Sequence, residues 1–143
     1  MRRAPWVLVL GPALSVLHSG CSAPTKPPPP PSGGQTLVLS QQEFEQSVEP
    51  ILVRQGCDAT GDCHGGGIRG TLELSPPSAK DAQFDFQQVS RQVQPDSLEG
   101  SRILTAPLAV AAGGTPHGVK PFATTSDPDY QSILQWLRDG VVP

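Results

Sequence analysis

Residues 54–67 read RQGCDATGDCHGGG, and they place two thiols and an imidazole within one short segment. Cys63 is followed directly by His64, and five residues separate Cys57 from Cys63. Thioether attachment of a haem needs two thiols facing two vinyl groups and an imidazole that reaches the iron from beside the second thiol. The Cys63-His64 pair preserves that second half. The usual spacer is two residues, so the extra residues here must loop out, with Gly61 easing the turn. A Cys57–Cys63 disulfide uses the same thiols in an oxidising compartment and leaves His64 a bystander. Zinc would draw on Cys57, Cys63, His64 and His117, but two ligands adjacent in sequence suit one tetrahedral ion poorly. Asp58, Thr60 and Asp62 echo a calcium loop that lacks its glycine (Cys63 stands there) and its closing glutamate (Arg69 stands there). On this stretch alone, haem attachment and a disulfide both remain open.

The compartment is legible upstream. Arg2 and Arg3 precede the apolar run APWVLVLGPALSVL, which is short and broken by Pro and Gly, as in an export signal. It ends in LHSGC, where small Ser19 and Gly20 precede Cys21 as at a bacterial lipoprotein cleavage site; His18 stands where an aliphatic residue is usual. The expected leader is residues 1–20, with Cys21 the lipidated first residue of the exported chain. No aspartate follows it (Ser22 does) to suggest inner-membrane retention. Residues 21–36 carry SAPTKPPPPPSGG, a polyproline II stalk with a flexible end, which cannot bury a core. A folded domain is expected over 37–143.

That domain is small, rich in Gly and Pro, and sparing in aromatics: Phe44, Phe84, Phe86, Phe122, Tyr130 and Trp136. A core of this size is marginal without a staple or prosthetic group. No Lys/Arg cluster follows the leader, which argues against nucleic acid. No Ser-His-Asp set, carboxylate pair or phosphate loop points to an enzyme.

Two helices bracket the domain. Ser40 and Glu43 form a capping-box pattern, and Phe44, Val48, Ile51 and Leu52 make one apolar stripe, with a kink or handover expected at Pro50. The last helix has Ser126 or Asp127 as N-cap and Pro128 in its first turn. Tyr130, Ile133, Leu134 and Leu137 form its apolar face, Trp136 flanks that face, and Gly140 is the expected C-terminal cap. Between them, TLELS alternates like a short strand, 76–93 hold a helix with Phe84 and Val89 as packing residues, and another short helix starts near Ser101. AVAAGGTPHGVKPF is a loop.

The order Val48-Glu-Pro-Ile-Leu, Cys57, Cys63-His64-Gly-Gly-Gly, Leu72-Glu-Leu74, Ser101-Arg-Ile-Leu, His117-Gly, Phe122, Asp127-Pro-Asp-Tyr and Trp136-Leu-Arg-Asp-Gly140 resembles the planctomycete-type cytochrome c-like domain of bacterial exported proteins. The resemblance spans most of residues 40–140. It implies a mainly α, cytochrome c-like fold with its N- and C-terminal helices packed together and long Gly/Pro-rich loops between. It implies haem c on Cys57 and Cys63, with His64 as the proximal iron ligand. For the sixth position the only methionine is Met1, in the leader, so His117 is the candidate distal ligand, and a bis-histidine iron has a lower potential than His/Met. The implied function is an electron carrier of the bacterial cell envelope, lipid-anchored, facing the periplasm or associated with the outer membrane, and docking a redox partner protein. The alternative is a haem-free binding or structural lipoprotein stapled by Cys57–Cys63.

Overall fold

The structure, a computed structural model, describes residues 36–142. The expected leader, Cys21 and the proline-rich stalk up to residue 35 lie outside the described residues.

The fold is mainly helical, and no strand forms among the described residues. Helix α1 covers residues 41–54 and changes register on the way. It starts as Gln41–Glu43, widens to a π-helical turn over Phe44–Val48, and resumes as Glu49–Arg54. Ser40 caps it by accepting from the Glu43 amide at 3.2 Å. The expected handover occurs, with Pro50 in the first turn of Glu49–Arg54, and a π turn makes the join: Glu49 donates five residues back to the Phe44 carbonyl. Pro50 has no N–H for the ordinary ladder, so the wider turn absorbs the mismatch without a break. Phe44, Val48, Ile51 and Leu52 are all buried, as the stripe predicts.

Helix α2 (Ala82–Ser90) is capped by Asp81, whose side chain accepts from the Phe84 amide. Val89 is buried as expected, but Phe86 rather than Phe84 reaches the core, meeting Phe44 edge-on at 5.7 Å. Helix α3 (Arg102–Thr105) starts after Ser101, as expected. The TLELS strand does not form; Arg69 and Leu72 make one isolated bridge, because no second strand lies alongside.

Helix α4 (Pro128–Arg138) is capped by Asp127, which accepts from the Asp129 amide at 2.9 Å. Its expected face is buried, and Trp136 belongs to the core rather than its flank, at 1 % exposure. The indole lies 5.6 Å from Phe44, and its N–H donates to the Ser40 carbonyl at 3.0 Å. One side chain thus joins α4 to the start of α1. The ends also close through an antiparallel bridge between Val38 and Val141. Gly140 does not take the left-handed cap conformation, and Asp139 ends the helix; a Cβ at 140 would press on the side chains of Leu37 and Leu39.

Candidate functional site

After α1 the chain must reverse to bring Cys57 back beside its own helix. Gly56 does so at φ 68, and the Cys57 amide then donates to the Leu52 carbonyl at 2.9 Å. The residues between the cysteines form a closed excursion. Gly61 takes φ 81, the His64 amide donates to the Cys57 carbonyl at 3.0 Å, and the Gly65 amide donates to the Ala59 carbonyl at 3.0 Å. The long spacer is therefore looped out, and its two ends are hydrogen-bonded together. The crossing is tight: a Cβ on Gly65 would sit 1.7 Å from the Asp58 carbonyl oxygen.

His117 comes from the loop after α3. A left-handed Gly113 (φ 97) turns the chain, Thr115 donates to the Thr105 carbonyl at 2.9 Å, and Lys120 Nζ donates to the Ala106 carbonyl at 2.7 Å and to the Thr115 carbonyl. This brings the His117 ring to 6.0 Å from the His64 ring, centroid to centroid, with the planes only 16° apart. Each Nδ1 faces a backbone carbonyl, His64 that of Leu72 at 3.0 Å and His117 that of Val119 at 2.8 Å. A carbonyl only accepts, so each Nδ1 carries a proton, and in the neutral ring it is Nε2 that holds the lone pair. Neither Nε2 has a hydrogen-bond partner among the described residues. This is the tautomer of a metal-ligating imidazole, fixed from behind by its second nitrogen.

Cys57, Cys63, His64 and His117 all line one cleft of about 380 Å³. Ile51, Leu52, Ile103, Phe122 and Ile133 give the same cleft much of its apolar lining. Both thiols are free. Burial, then the neighbouring Asp58 and Cys63, push the Cys57 thiol up to about 11, so it stays a neutral S–H at neutral pH and is a slow partner for thiol exchange. No three His, Cys, Asp or Glu side chains among the described residues are grouped to hold one ion. What converges is a facing imidazole pair and two thiols around an apolar cleft. Two thiols and two imidazoles beside apolar side chains are the donor set that a thioether-linked metal macrocycle would use.

A charged clamp behind the cysteine loop escaped the sequence reading. Lys80 Nζ lies 2.6 Å from Asp85 Oδ2, 3.4 Å from Asp58 Oδ2 and 3.8 Å from Glu49. Asp85 also accepts from the Ser75 amide at 2.6 Å and the Ser75 hydroxyl at 2.8 Å. Asp58 and Asp85 are 2 % and 1 % exposed. One cation therefore joins α1, the cysteine loop and α2. Burial alone would lower the Lys80 pKa, but the Asp85 hydrogen bond and the Asp85 and Asp58 charges outweigh it, and the net shift is upward. Asp58, which in sequence echoes a calcium loop, is an ion-pair partner of Lys80. No local spacing announces such a clamp. No helix among the described residues is long and apolar enough to cross a membrane. No family model, curated protein or solved structure matches this chain.

Proposed function

We propose that this domain is a haem c electron carrier of the cytochrome c-like kind, tethered to the bacterial envelope membrane through Cys21 and docking a redox protein partner there. The observation that carries the reading is the near-parallel His64–His117 pair, 6.0 Å apart over a cleft that both cysteines line. Each thiol would add S–H across one vinyl double bond, sulfur to one carbon and hydrogen to the other. Cys57 enters that reaction as a thiol, in keeping with its raised pKa. His64 and His117 would present Nε2, with Nδ1 held by Leu72 and Val119. A haem bound there would supply one-electron chemistry between ferrous and ferric iron, and the Leu72 and Val119 carbonyls would hold the imidazoles in place.

The test is expression with haem-maturation machinery, a denaturing gel stained for haem peroxidase activity, and a pyridine haemochrome spectrum. Covalent haem supports the reading. Absence of haem, together with a Cys57–Cys63 peptide lighter by two hydrogens, overturns it in favour of the haem-free, disulfide-stapled lipoprotein.

A further inference from the structure

Part of the cleft lining is polar, and most of its groups are already engaged. The Thr71 hydroxyl donates to Gln92 Oε1 at 2.8 Å, and Gln92 Nε2 donates to the Thr71 carbonyl at 2.8 Å. The Gln92 carbonyl in turn accepts the Arg102 amide at 2.8 Å, which fixes the start of α3 beside the cleft. Arg69 also lines the cleft, but its Nη2 donates to the Gly61 carbonyl at 2.6 Å and reaches Asp62 at 3.3 Å. Arg102 also lines the cleft, and among the described residues its guanidinium has neither a hydrogen bond nor an ion pair. Arg54, Lys80, Lys120 and Arg138 are all committed to partners elsewhere.

A guanidinium is a fixed charge with a planar fork of donors, shaped for a carboxylate. Arg102 is exposed and lines a cleft whose remaining lining is largely apolar, a combination that suits a ligand with an apolar body and an anionic group. The geometry points to Arg102 as the carboxylate anchor of this cleft. The assignment rests on the haem reading, and the carboxylates are then the two propionates. Arg102 holds one in its ionised form, while the Thr71–Gln92 pair keeps α3 in register.

The test uses the haem-loaded full-length protein in detergent, as wild type, Arg102→Gln and Arg102→Lys. The midpoint potential is followed with pH, and the pH at which it turns over reports propionate ionisation. In R102Q that turn-over moves up by about one pH unit, about tenfold in proton affinity, and R102K returns most of the shift. A uniform drop in potential with an unmoved turn-over means that only a background charge was lost, and overturns the assignment. Arg102 is exposed, so neither variant threatens the core. A wild-type protein without covalent haem overturns the haem reading itself, an outcome distinct from an unmoved turn-over in a haem-loaded protein.

Discussion

Replacing Lys80 with methionine removes the one cation that faces Asp58, Asp85 and Glu49. The methionine keeps the apolar stem, so packing changes little and charge carries the effect. Asp85 retains the Ser75 amide and hydroxyl, at 2.6 and 2.8 Å. Asp58 Oδ2 retains nothing: it makes no hydrogen bond and meets only the Lys80 charge, at 3.4 Å. Breaking a buried pair by removing one partner costs about 3–5 kcal/mol. Lys80 is itself 29 % exposed, so water reaches the network and the lower end applies, about 3 kcal/mol. Urea unfolding at neutral pH should show this as a lower midpoint with an unchanged slope. Adding Asp58→Asn removes the stranded charge, and K80M/D58N should regain about 1 kcal/mol over K80M. The upward shift of Lys80 also sets a pH window. A lysine that binds its proton more tightly when folded stabilises the fold below its ordinary value of 10.5 and loses that contribution as pH rises through the folded value. The gap between wild type and K80M should therefore persist through neutral pH and close in strong alkali. A loss below about 1 kcal/mol, or strictly additive D58N and K80M effects, would refute the clamp.

Three further outcomes are expected. Trp136→Phe deletes the donor to the Ser40 carbonyl and leaves a void beside Phe44, so it should cost about 2–3 kcal/mol in the same unfolding assay; a change under about 0.5 kcal/mol would separate the indole from the closure of the two end helices. Gly65→Ala should destabilise the cysteine loop by about 2 kcal/mol or more, because its Cβ meets backbone rather than a side chain that can swing away, and wild-type stability would show that the crossing is looser than described. Alkylation of Cys57 in haem-free, reduced protein should rise with pH toward half-maximum near 11 rather than 9.0. Because the folded thiol holds its proton more tightly, this group opposes folding increasingly between those values; fast alkylation at neutral pH would contradict the burial that causes the shift.

By itself the sequence determined the local structure. The stripe Phe44, Val48, Ile51, Leu52 and the caps Ser40 and Asp127 are legible because helix period and end-capping depend on residues within one or two turns. The adjacency of Cys63 and His64 is likewise a local fact, and Gly61 takes the positive φ that its place in the loop suggests. Only the tertiary structure decided which residues meet. It seated Trp136 against Phe44, brought in Phe86 instead of Phe84, and joined the two helical segments before Pro50 through a π turn. It set His117 opposite His64 with both Nδ1 atoms held, and gathered Lys80, Asp58 and Asp85 into one clamp. These contacts join residues far apart in the chain. Their partners are chosen by how the end helices pack and where the glycine turns aim the loops, and no window of sequence contains that information.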